Sequence, residues 1–232
     1  MSCPSLRTAT TILFAALIAF APINHSAEAA VPVARPTSTH AAVGRNERLL
    51  AVAEGFEALT ETAFAQEFER LNAAHEAAAR DVAIVNAILS VEDRRRLETL
   101  HGTIRNALRK QDRSALALAA VESYRVLVSA QDAGAAVPVE VSLLDYAGFK
   151  LEALARADVV RWDEMARALA YADSQWTALS PRVLSKGLAG AFESTLAGMK
   201  RAIQEKNTLA ASVASADELA LVDLWEEHFS KR

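Results

Sequence analysis

A chain of 232 residues, 52% of them hydrophobic, can bury a full core as one large domain or two small ones. Its formal charge of −4 is mixed along the chain without a basic stripe, which argues against nucleic acid as a partner. Eight glycines and six prolines among many alanines, leucines, glutamates and arginines point to an all-α protein.

Residues 1–29 have the layout of a signal peptide. Arg7 supplies the positive charge, Thr11 to Phe20 an apolar run, and Ala27-Glu28-Ala29 small residues at the two positions a signal peptidase reads. The apolar run is shorter than the roughly 20 residues of a spanning helix, so cleavage after Ala29 is expected rather than a retained anchor. The expected address is the periplasm or the cell exterior, with no membrane contact after cleavage. Cys3, the only cysteine, lies inside this segment. The mature chain would then have no disulfide, no cysteine-ligated zinc, no thiol catalysis and no thioether-attached haem.

Residues 30–43, with Pro32 and Pro36, show no period and are expected to be a flexible leader. Eight helical segments follow, over 45–62, 64–89, 91–110, 113–131, 142–157, 161–180, 186–206 and 208–229. Ser90, Asp112 and Asn207 stand where each can cap the helix after it. Ser180-Pro181 ends a helix, because a residue before proline avoids the helical region. Residues 132–141, with Gly134 and Pro138, are expected to link an N-terminal four-helix half at 44–131 to a C-terminal one at 142–232.

The halves resemble one another at a shift of 95 residues. Glu98 then meets Glu193, Ile104 meets Met199, Ala107 meets Ala202, and Asp112 meets Asn207. The same shift pairs Phe56 with Leu151, Glu57 with Glu152 and Leu59 with Leu154. Short connections make consecutive helices antiparallel neighbours. The expected fold is therefore an antiparallel helical bundle of two pseudo-repeated four-helix halves. A merged eight-helix array and a solenoid of helical hairpins are the alternatives. Core faces are expected at Leu144, Ala147, Leu151 and Leu154 on the fifth segment. On the eighth they are expected at Leu209, Val213, Ala216, Ala220 and Leu224.

Antiparallel topology collects acidic and aromatic residues at one end of the C-terminal half. Asp223 and Glu227 are four apart on one helix face that overlaps the expected apolar stripe. With His228, Asp145 and Glu193 they form the candidate metal set, since inward carboxylates from several helices can hold an ion. The plainer reading places these groups at solvated helix ends, with Asp145 in a first turn where the helix dipole favours a carboxylate. Trp176 and Trp225 should meet there and plug the core. His75 and His101, on neighbouring helices, are expected to be exposed or singly hydrogen-bonded. Met165 and Met199 fill core gaps more readily than they ligate a haem. Arg94-Arg95-Arg96 is expected to face solvent.

No GxSxG, glycine-rich phosphate loop or HExxH occurs. The expected function is therefore non-enzymatic, an exported module that binds a protein partner or a small ligand. No cofactor is called for. A carrier or sensor of a metal ion or non-covalent haem is the alternative.

Overall fold

A computed structural model describes residues 38–231, with side-chain environments from Gly44 onward. The expected signal peptide and the first part of the expected leader lie outside the described residues. The described residues form eight α-helices and one short 3-10 turn, with no strand. The helices are α1 (Ser38–Thr62), α2 (Phe68–Val85), α3 (Val91–Lys110), α4 (Arg113–Ser129), α5 (Val139–Ala155), α6 (Trp162–Leu179), α7 (Lys186–Gln204) and α8 (Thr208–Ser230). None is long and apolar enough to cross a membrane.

The breaks between helices have local causes. Ser90 Oγ accepts the Asp93 amide at 3.0 Å and donates to the Asp93 carboxylate at 2.6 Å, starting α3. Asp112 accepts the Ala115 amide at 2.8 Å to start α4, and Asn207 accepts the Ala210 amide at 3.0 Å to start α8. Ser185 does the same for α7 through the Leu188 amide. Ahead of two of these caps the chain turns through left-handed residues, Gln111 at φ 57° and Lys206 at φ 52°. Each lets the following amide return to a helix carbonyl, Asp112 to Ala107 and Asn207 to Ala202. These caps and turns recur 95 residues apart.

Four boundaries differ from the sequence expectation by three residues or more. Two belong to α2, which runs Phe68–Val85 rather than 64–89 because turns at 63–65 and 86–88 bound it. α1 begins at Ser38, inside the expected leader, because no proline follows Pro36 to stop it. α5 begins at Val139 rather than 142: Pro138, at φ −58°, presets the chain for a helix that starts directly after it. Residues from α1 fix the loop before α5. Asn46 exchanges two hydrogen bonds with the Asp132 backbone at 2.9 and 2.8 Å. Arg45 reaches the carbonyls of Ile88 and Ala130.

Packing follows chain order. α1 packs on α2, α2 on α3, α3 on α4, and α4 returns to α1. The helices α5 to α8 close in the same way, with α8 returning to α5. Such closure distinguishes bundle packing from an open solenoid. α4 and α5 also pack on each other, and α5 touches α1, so the described residues form one compact unit.

Leu144, Ala147, Leu151 and Leu154 are fully buried, as their spacing predicts. The expected face of α8 is corrected. Leu209, Val213 and Leu224 are 76%, 53% and 46% exposed, and Ala216 and Ala220 are exposed beside them. The buried face carries Ala211, Ala214, Ser215, Glu218, Val222, Trp225 and Phe229. Trp225 and Phe229 remove far more apolar area from water than Leu209 and Val213, so they decide which side of α8 turns inward. Gly148 lets α8 approach α5 closely: a methyl group there would overlap the Glu218 carboxyl and the Leu219 side chain.

Candidate functional site

The strongest concentration of unpaired charge lies where α1 and α8 flank the α4–α5 pair. A cleft of about 390 Å³ opens there, lined among others by Leu50, Glu54 and Glu57 of α1, Tyr124 of α4, Gln131 of the loop after α4, and Glu226 of α8. Behind Tyr124 sits Asp145 of α5, 6% exposed and hydrogen-bonded by the Tyr124 hydroxyl. Glu218 of α8 lies against Gly148, one turn along α5 from Asp145, and is 1% exposed with neither carboxyl oxygen partnered. The Gln131 side-chain amide, also on the cleft wall, is a second buried group without a partner.

Burial and mutual repulsion act together on these acids. Burial, then Glu61, Glu226, Glu54 and Asp223, raise the Glu57 carboxyl from 4.5 to about 7. Burial first, then Glu57, push Asp145 well above the usual carboxylate range, although Tyr124 donates to it. Burial and the Asp145 charge push Glu218 up likewise. Glu226 and Asp223 are raised, chiefly by burial. Among the described residues none of these five carboxylates forms a salt bridge with a lysine or arginine. Of these five, Glu57 and Glu226 line the cleft together with Glu54, while Asp145 and Glu218 are buried away from it.

The sequence-predicted residues divide. Asp145 and Asp223 fall within reach of each other's charge. Asp145 is not in a first turn, because α5 starts three residues earlier than expected; desolvation, not the helix dipole, governs it. Glu227 is exposed and pairs with Lys231 instead of facing inward. Glu193 is exposed on α7. His228 packs edge-on against Trp225 at 5.9 Å and Phe229 at 5.3 Å. Among the described residues no group of three or more histidines, aspartates and glutamates is placed to hold a metal ion. Glu57, Glu218 and Glu226 escaped the sequence reading. Each sits on a helix whose buried side becomes known only once α1 is packed near α8.

The other expectations fare as follows. Trp176 and Trp225 meet at 5.5 Å, with Phe192 at 4.8 Å from Trp176, and all three are buried in the core. Met165 and Met199 are core residues too. Of the two states expected for His75, exposed or singly hydrogen-bonded, the structure shows the second. His75 is buried, and its Nε2 lies 3.1 Å from Nδ1 of His101, because α2 and α3 pack in the register that brings both rings inward. Burial, with each other's proximity, lowers the His101 imidazole to about 4. The arginine run does not simply face solvent. Arg94 closes the end of α2 through the carbonyls of Asn86 and Leu89 at 2.8 and 2.7 Å, and Arg96 reaches Glu122 of α4.

Compared with protein-family models, with curated proteins and with solved structures, the chain matches none.

Proposed function

We propose that this protein is an exported, non-enzymatic binding module whose ligand is a small organic cation, an aliphatic amine, seated in the cleft between α1 and α8. One observation carries the reading: Glu54 and Glu57 of α1 and Glu226 of α8 line the cleft with no lysine or arginine paired to them among the described residues, and the charges of Asp145 and Asp223 act on the same acids. An ammonium group would replace the protons that now relieve their repulsion. Leu50 and Val137 on the wall suit an aliphatic stem. The cleft volume of about 390 Å³ favours an organic molecule over a bare ion. The unfilled Gln131 amide would donate to an oxygen on the same ligand.

Titration calorimetry with 1,4-diaminobutane at low ionic strength tests the site. Saturable binding is expected at pH 8. It should weaken at pH 5.5, where Glu57 holds its proton, and it should be lost in Glu57→Gln with Glu226→Gln. No binding at millimolar amine, or equal binding by that variant, would reject it. The exported address has its own test: protein recovered from a periplasmic fraction should begin at Ala30, and a chain still starting at Met1 would overturn that part.

A further inference from the structure

A second charged cavity, sharing no lining residue with the carboxylate cleft, lies among α3, α4, α5 and α6. Its volume is about 360 Å³. Its centre is Glu122 of α4, on which four donors converge. The Tyr146 hydroxyl donates at 2.7 Å, the Lys150 ammonium at 2.6 Å and the Arg125 guanidinium at 2.9 and 3.0 Å. Arg96 of α3 adds a longer ion pair at 3.6 Å. These donors fill the capacity of one carboxylate and hold Glu122 down to about 2. Lys150 donates to the Tyr146 oxygen as well, so ammonium, phenol and carboxylate form one closed triangle.

The charge does not balance. One carboxylate faces three cations, and Arg167 of α6 lines the same cavity with no ion pair among the described residues. Glu164, the other acid on the wall, is held at 2.9 Å by Arg161. Arg96 and Arg167 are both exposed and stand on different helices at the cavity, while Arg125 and Lys150 lie deeper. Tyr171 packs edge-on to Tyr146 at 5.4 Å and gives the cavity an aromatic wall. Cations held this close without enough counter-charge repel one another. Guanidinium groups relieve that repulsion best by taking a planar or tetrahedral oxyanion in two-point contacts.

We propose that this cavity is a binding site for a small oxyanion, a carboxylate or a phosphate group, clasped by Arg96 and Arg167 over the Glu122–Lys150–Tyr146 triangle. Glu122 keeps Arg125 and Lys150 in place when the site is empty, so the site is formed in advance of the ligand. The anion would complete the neutralisation that Glu122 begins.

Calorimetry and thermal melts of the whole protein with inorganic phosphate, and separately with succinate, read the outcome against sodium chloride at equal ionic strength. Saturable binding of at least one of the two, beyond the chloride response, is expected. Phosphate alone or succinate alone would name the ligand chemistry. Arg96→Gln with Arg167→Gln should weaken binding by roughly tenfold or more, while the melting temperature without ligand stays near that of the wild type. Glu57→Gln, in the other cleft, should leave anion binding unchanged. A response no larger than that to chloride would overturn the proposal, as would full affinity in the double arginine variant.

Discussion

Replacing Glu57 by glutamine should make the protein more stable at pH 8 and leave it nearly unchanged at pH 4.5. In the folded protein the Glu57 carboxyl is raised from 4.5 to about 7 by burial and by four neighbouring carboxylates. A raised group holds its proton more tightly when folded. Its stabilising contribution is complete below the unfolded value near 4.5 and is lost as pH climbs to about 7, beyond which the loss is constant. Each pH unit between the two values is worth ~1.4 kcal/mol. Glu57 is only half-buried, so solvent screening reduces the full product to about 2 kcal/mol. For a chain of this size that is roughly 4–8 °C in Tm.

The wild-type profile alone would not isolate this effect, because other groups titrate nearby. The other cleft acids lose stability in the same direction as pH rises. His101, lowered to about 4, acts oppositely: its contribution is lost as pH falls from 6.5 through about 4. The difference between variant and wild type removes these shared contributions. Urea unfolding at half-unit steps from pH 4.5 to 8 measures it. The difference should grow from near zero to about 2 kcal/mol across that window. A constant difference would refute the reasoning, since it would mean that Glu57 titrates alike in the folded and unfolded chain.

Three further outcomes are expected. Gly148→Ala should cost more than ~2 kcal/mol in urea unfolding, because its methyl meets Glu218 and the Leu219 Cδ2 at 2.7 Å. Adding Glu218→Ala should recover only part of that loss, and a single variant as stable as wild type would show that α5 and α8 are not held at this spacing. Glu218→Met should gain about 1–2 kcal/mol at pH 8, since it replaces a buried carboxyl with no partner by an apolar group of similar volume; destabilisation would reveal a partner for Glu218. In NMR titrations the His101 ring should stay neutral down to about pH 4, and a midpoint above 6 would dissolve the buried histidine pair.

What was legible in the sequence was local. Ser90, Asp112 and Asn207 cap helices because a short polar side chain reaches an amide three residues on, a relation that needs nothing from the rest of the chain. α6 ends at Leu179 as the Ser180-Pro181 pair predicts, but the expected reason fails: Ser180 keeps helical angles, φ −53° and ψ −35°, and opens a 3-10 turn over Ser180–Arg182. Faces were harder. In an alanine-rich helix such as α8 several stripes satisfy the same spacing, and the choice passed to Trp225 and Phe229, whose burial depends on α5 and α7. Asp145 was found but misjudged, because a three-residue shift in where α5 begins moves it from a helix end into the core.

The recurrence at 95 residues makes the same distinction within the molecule. Caps and left-handed turns repeat at that shift: Ser90 with Ser185, Gln111 with Lys206, Asp112 with Asn207. The charged sites do not. Position for position, Asp145 corresponds to Leu50, Tyr124 to Leu219, Lys150 to Gly55 and Tyr146 to Ala51. The features that shape each four-helix ring recur and the assembled sites do not, although single acids keep acidic counterparts, Glu57 in Glu152 and Glu122 in Asp217. Both sites sit beside the contact of α4 with α5, the main place among the described residues where the first four helices meet the last four. A helix in that seam has neighbours its counterpart lacks. Asp145 can stay buried because Tyr124 reaches it across the seam, and Lys150 can point inward because Glu122 does the same from α4. Each pair joins one residue from each set of four helices. Substitutions at these pairs should therefore disturb the packing of α4 on α5 more than the fold of either ring.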